Sequence, residues 1–187
     1  MTERFTVPEP QIKVRSLGEE SVQNLSYMMA VAMHANYLRT VPGLQQDDGT
    51  FNERLRPLKT GDEEWAISDG KEKVVDGKIN IAVPFDQLSP GWQRENLRAG
   101  EIAVRFVSEW IASGKSTNSS SFIDEGGRAI HDAWRERRRE DGTADTEYVK
   151  PNMVEYQDLS PEEKDKDVEQ LMLANEYVGE RVKESNR

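Results

Sequence analysis

The chain has no cysteine among its 187 residues, which excludes a disulfide framework, a thiolate zinc site and a cysteine nucleophile. It has two histidines, His34 and His131, too far apart for metal-ligand spacings such as H-E-x-x-H. It lacks a glycine-rich G-x-x-x-x-G-K loop, so a nucleotide triphosphatase of that type is not expected. Basic residues are outnumbered, 25 against 35 acidic ones, and the net charge of -10 opposes binding to a nucleic-acid polymer or an anionic membrane. Apolar runs are short of the roughly 18 residues a membrane helix needs. The opening MTERFTVPEP has neither the basic nor the apolar region of a secretory signal, so a cytoplasmic protein is expected. No motif supplies an activated nucleophile, a paired acid and base, or a metal, so neither an enzyme nor a cofactor is expected. Hydrophobic residues, at 35%, are sparse for a globular chain, but their periodic placement argues against wholesale disorder.

What the chain does have is an internal repeat. Residues 83–107, VPFDQLSPGWQRENLRAGEIAVRFV, align without a gap with residues 154–178, VEYQDLSPEEKDKDVEQLMLANEYV. Identical pairs include Leu88/Leu159, Ser89/Ser160, Pro90/Pro161, Ala103/Ala174 and Val107/Val178, and Phe85 and Phe106 meet Tyr156 and Tyr177. Upstream, AMHANYLR (32–39) parallels AIHDAWRER (129–137), each with His, a large aromatic three residues on, and then Arg. Both histidines therefore fall at equivalent places, and a duplication is expected. A unit of about 75 residues is near the lower limit for an independent core, so the halves should pack together.

Taken in order, residues 1–17 read as an extended arm with Pro8 and Pro10. A helix is predicted from Ser16 or Gly18 to Arg39, with Leu25, Met28, Met29, Ala32, Ala35 and Leu38 on its apolar face. Residues 44–64 are polar and broken by Gly49, Pro57 and Gly61, which predicts a long inserted loop. Trp65 to Ile67 suggests a short strand, and residues 74–83 a hairpin turning at Asp76-Gly77. Ser89-Pro90 and Ser160-Pro161 start helices, because Ser caps and Pro at the first position has no N–H to leave unpaired. The first of these helices should run to Ile111. SGKSTNSSS (113–121) is the expected linker, followed by a helix over 124–139. A last helix carries Val168, Leu171, Met172, Asn175, Val178 and Val182 along one line. The organisation expected is an arm (1–17), a first repeat (18–112, with the 44–64 insertion), a linker (113–121) and a second repeat (122–187).

The second half resembles the RyR domain, the repeat of ryanodine receptors and of many bacterial and phage proteins. The residues that carry the likeness are His131, Trp134, Arg138, Gly142, Val154, Tyr156, Leu159, Glu163, Lys164 and Asp167. The first half, with FDQLSPGWQRENLRAG, resembles the divergent bacterial form, which has Asn at the place of Asn96. Thr143 stands where the family has Trp, and Tyr37 replaces the Trp of the first motif. The resemblance spans roughly residues 22–182. It implies a mainly α fold with small β-elements, two repeats packed with pseudo-twofold symmetry, and adenine-nucleotide binding in the cleft between them.

Chemistry gives the same site a rationale. A twofold arrangement could bring Tyr37 and Trp134 face to face, and opposed rings accept a base by stacking. Arg39, Arg135 and Arg138 would then meet phosphate, His34 and His131 could donate to the ligand, and Trp65 could cover the pocket. Each has a plainer alternative: the rings as helix anchors, the arginine run 135–139 as a solvated face balanced by Glu136 and Glu140, the histidines bonded to backbone carbonyls, Trp65 as a packing residue. The expectation is a ligand-binding module for a small nucleotide or nucleotide-derived messenger. Its alternative is a protein interaction or structural module, with a protein partner or as a homo-oligomer, in a bacterial or phage regulatory system.

Overall fold

The structure, a computed structural model, describes residues 17–70, 74–147 and 149–185. The expected N-terminal arm lies outside them except for Leu17, whose N–H donates to Ser108 Oγ at 2.9 Å. Four long helices carry the fold: α1 (Glu19–Thr40), α3 (Pro90–Ala112), α4 (Ser120–Glu140) and α5 (Pro161–Ser185). A short helix α2 (Glu63–Ile67) and three strands, β1 (Leu55–Pro57), β2 (Val74–Val75) and β3 (Lys78–Asn80), lie between α1 and α3. The fold is thus mainly helical with one small antiparallel sheet, ordered β1-β3-β2.

The long helices of the two halves correspond pair by pair. α1 packs on α3 as α4 packs on α5, α1 touches α5 as α4 touches α3, and α3 meets α5 directly. Exchanging the halves leaves this pattern unchanged, as a twofold relation requires. Each half enters its second helix through a 3-10 turn, Phe85–Gln87 or Tyr156–Asp158, and a serine cap. Ser89 Oγ accepts from the Trp92 N–H at 3.4 Å and Ser160 Oγ from the Glu163 N–H at 3.3 Å. Packing between paired helices is conserved in kind but swapped in side. In the first half Met29 of α1 lies over Gly100 of α3; at the equivalent place Leu171 of α5 fills the hollow at Gly126 of α4. One large and one small residue meet at each crossing, and the helix supplying the large one has changed.

A similar exchange covers the aromatic of each turn. A Cβ at Gly127 would overlap the Tyr156 hydroxyl, whereas in the first half Ala30 packs in one cluster with Phe85, which has no hydroxyl. Gly127→Ala should therefore destabilise by about 1–3 kcal/mol through overpacking, and Gly127→Ala with Tyr156→Phe should recover most of it. Urea unfolding of these two variants and of Tyr156→Phe alone checks this.

Several local expectations need correction. The 44–64 segment contains β1, and Gln45 bridges Phe51 across a turn in which Asp48 Oδ1 accepts from the N–H and hydroxyl of Thr50. Trp65 to Ile67 are helical, with Glu63 and Glu64 in the first turn where carboxylates favour the helix dipole. α4 begins at Ser120, earlier than expected, because Ser119 Oγ caps the Phe122 N–H at 3.2 Å and Phe122 is fully buried. On α1, Met28 and Ala35 face out and Val22, Ala30 and His34 face in; on α5, Met172 is exposed and Ala174 takes the buried position. The hairpin is as read, with Asp76 and Gly77 both at positive φ in its turn. No helix among the described residues is long and apolar enough to cross a membrane.

Candidate functional site

The two histidines are fixed alike. His34 Nε2 lies 2.7 Å from the Val83 carbonyl and His131 Nε2 2.9 Å from that of Val154. A carbonyl only accepts, so each Nε2 carries the proton and each helix is tied to the segment leading into its partner helix. Burial pushes the His34 pKa down, keeping that ring neutral. Each histidine then supports the aromatic three residues on: His34 and Tyr37 stack at 5.9 Å and 22°, His131 and Trp134 at 5.7 Å and 19°. The Arg54 guanidinium sits 5.4 Å from the centre of the Tyr37 ring and that of Arg138 5.8 Å from the Trp134 ring.

Tyr37 and Trp134 open onto different spaces. Tyr37 lines a cleft of about 1000 Å³ between the second half of α1 and the middle of α5, with Trp92, Asn96 and Ile81 at its base. His34 and Arg39 line it too, and Tyr177 and Leu173 form the α5 wall. Four side-chain amides, Asn36, Asn96, Gln170 and Asn175, border the same space. The Tyr37 hydroxyl is buried without a hydrogen-bond partner among the described residues, and burial raises its pKa. Trp134 lines a smaller chamber of about 170 Å³ to which all four long helices contribute, with Glu95, Arg137 and Asp167 in its wall. Met33, Asn96 and Gln170 belong to both linings, so side chains alone divide the two spaces.

The remaining expected site residues are dispersed. Arg135 is bound within its own half, Nη2 at 2.7 Å from Glu155 and Nη1 at 3.2 Å from Asp132. Arg138 pairs with Glu95 of α3 and lies 3.9 Å from Asp141. Trp65 packs against Gly70 in a cluster with Ile79 and Ile81 and lines neither space. The arginine run is not a uniformly solvated face: Arg139 is exposed beside Glu136, but Arg137 and Arg138 are each only 7% exposed.

Glu95 is the residue that sequence reasoning missed. It joins the halves by drawing three cations together: Lys59 Nζ at 3.8 Å, Arg137 Nε at 3.7 Å, and Arg138. Burial, with Arg138 and Arg137 nearby, pushes the Lys59 ammonium down to about 8. Burial also lowers the pKa of both arginines, and Arg98 adds to the effect at Arg137. Arg137 was legible in part, since Ile130, Trp134 and Arg137 follow the 4-and-3 spacing of an inward stripe. Lys59 sits in the inserted loop, where no period marks it.

Asp167, at the repeat position of Asn96, is a further enclosed carboxyl, its side chain 13% exposed. Its Oδ2 lies 3.6 Å from His131 Nδ1, and burial followed by Glu163 raises its pKa to about 7. An unfolded aspartate ionises near pH 4. Between about pH 4 and 7 the unfolded chain therefore loses a proton that the folded protein keeps, and stability falls as pH rises through that window. Asp167→Asn should abolish this slope and raise stability at pH 8 by on the order of 2 kcal/mol, with little effect at pH 4. Thermal melts across pH test it; a less stable variant at pH 8 would mean that the contact between the Asp167 carboxylate and His131 holds the fold.

Comparison of the chain with protein-family models, with curated proteins and with solved structures finds no match.

Proposed function

We propose that the protein is a non-enzymatic ligand-binding module that takes a small nucleotide or nucleotide-derived messenger in the cleft between α1 and α5. The observation that carries this reading is the lining of that cleft: the aromatic residues Tyr37, Trp92 and Tyr177 beside four side-chain amides. A nucleobase offers a flat π face to the rings and a mixed donor and acceptor edge to amides, whose own groups have the same mixture. Arg39 stands exposed at the rim, where it can meet a charged group. The cleft also lies where the two halves meet, which accords with the resemblance to tandem RyR repeats. A regulatory role in a bacterial or phage system follows from that resemblance.

The test is a thermal-shift screen against adenine and guanine nucleotides, linear and cyclic. A ligand at about 100 times its dissociation constant adds roughly 2.7 kcal/mol, or roughly 5–10 °C for a chain of this size. Tyr37→Phe should leave the unliganded melting temperature unchanged or higher, because it removes a buried unpaired hydroxyl, and should shrink the ligand-induced shift. If no nucleotide moves the melting temperature, the reading passes to the protein-interaction module, and a search for a protein partner is the next step.

A further inference from the structure

We propose that the inner chamber between the four long helices is an anion subsite that takes a phosphoryl group, with Arg137 as its principal donor. The inference rests on the cleft reading for the rest of the ligand. Arg137 is 7% exposed and lines the chamber, yet its Nε and Nη1 have no hydrogen-bond partner. The carboxylate it approaches, Glu95 at 3.7 Å from Nε, is already shared with Arg138 and Lys59. A guanidinium that served only to hold the fold would have its fork filled, because each buried unpaired donor costs free energy. The Arg137 side chain lines a space of about 170 Å³, from which its Nε and Nη1 are themselves covered, and at roughly 30 Å³ per water that space has room for several waters or for one tetrahedral oxyanion.

The chamber's acidic groups do not oppose this. Glu95 is neutralised by its cations, and Asp167, held by burial near a pKa of about 7, can carry a proton and donate it to a phosphoryl oxygen. Asn96 and Gln170 border both the chamber and the cleft, so a ring stacked in the cleft and a phosphoryl group at Arg137 can belong to one molecule. A planar guanidinium fork suits a phosphoryl group better than a point charge does.

The experiment is calorimetric titration of the full chain with adenosine, AMP, guanosine, GMP and inorganic pyrophosphate, repeated with Arg137→Gln and Arg137→Lys. The expected result is that a nucleotide binds at least about tenfold tighter than its nucleoside, as a charge-assisted pair implies. Arg137→Gln should collapse that ratio towards one with an unchanged far-UV circular dichroism spectrum. Arg137→Lys should fall between, which gives the readout should the glutamine variant fail to fold. Equal binding of nucleoside and nucleotide by the wild-type protein would overturn the subsite and leave the cleft reading standing. Pyrophosphate binding that depends on Arg137, without nucleoside or nucleotide binding, would support the subsite and overturn the cleft reading. Absence of binding by all five would overturn both.

Discussion

Glu95→Gln should cost the protein about 3–5 kcal/mol, the range for removing one partner of a buried ion pair. Glu95 is 17% exposed at its side chain, and Lys59, Arg137 and Arg138 are 15%, 9% and 8% exposed. Without the carboxylate, three cations from two halves and a loop face one another in a poorly solvated space. The penalty is the stranding of those charges, which is why a second substitution should relieve it. Glu95→Gln with Arg138→Met should be more stable than Glu95→Gln alone, since it also removes a buried cation. Chemical denaturation at two salt concentrations checks both parts, because a buried cluster is screened little by salt. A loss below about 1 kcal/mol would place these groups in the regime of solvated surface pairs.

Asp62→Ala is the second large effect expected, at about 3 kcal/mol or more. Asp62 is fully buried. Its Oδ1 accepts from the Gly91 N–H at 2.6 Å, and its Oδ2 from the Ser89 hydroxyl at 2.7 Å and the Lys59 N–H at 3.0 Å. Hydrogen bonds to a charged group contribute about 1.5–3 kcal/mol each, and the three lost here strand their donors together. The carboxylate also sits at the positive end of α3. Gly91 belongs to the same device, since a Cβ there would lie 2.7 Å from Asp62 Oδ2 and 2.5 Å from the Lys59 Cβ. Asp62→Asn should cost less than Asp62→Ala, because its amide keeps one accepting oxygen of the two. Both variants should also loosen Lys59 from Glu95, so a thermal melt of Asp62→Ala combined with Glu95→Gln should show a loss smaller than the sum of the single losses.

The parts of this molecule that could be read from its sequence are those whose pattern is local. The serine caps, the Asp76-Gly77 turn and the Ser-Pro starts of α3 and α5 are set within a few residues of chain, and they appear where the sequence puts them. The histidines were legible for a different reason: two copies of one motif showed which residues act together, even though the Val83 and Val154 carbonyls they meet lie in another segment. The β1 strand was hidden because three residues, Leu55, Arg56 and Pro57, have no alternation to detect. The face-to-face arrangement of Tyr37 and Trp134 was argued from symmetry alone. Met33, Asn96 and Gln170 stand between their two spaces, which a linear pattern does not reveal. Glu95 was least legible of all. Its partners come from an inserted loop and from the second half, and a lone glutamate among exposed charges on an amphipathic helix gives no sign that it will be enclosed.

The swapped packing at Met29/Gly100 and Gly126/Leu171 bears on function as well as on stability. It keeps both helix crossings close while letting the two halves differ in the side chains that face the seam. Tyr37, Trp92 and Asn96 come from the first half, and Trp134, Glu163 and Asp167 stand at their repeat positions in the second. Both halves line both spaces: Tyr37, Trp92 and Asn96 share the wide cleft with Gln170, Asn175 and Tyr177, and Glu95 shares the narrow chamber with Arg137 and Asp167.

Trp92 gives the most direct test of the cleft, because it lies at the cleft base while Trp134 lines the inner chamber instead. The measurement is the intrinsic tryptophan fluorescence of the wild-type protein and of Trp92→Phe during titration with the nucleotides that raise the melting temperature. A saturable change in the wild-type emission that is largely lost in Trp92→Phe, with binding retained by calorimetry, is the predicted result. Binding seen by calorimetry that leaves the Trp92 signal untouched would place the ligand elsewhere and contradict the account.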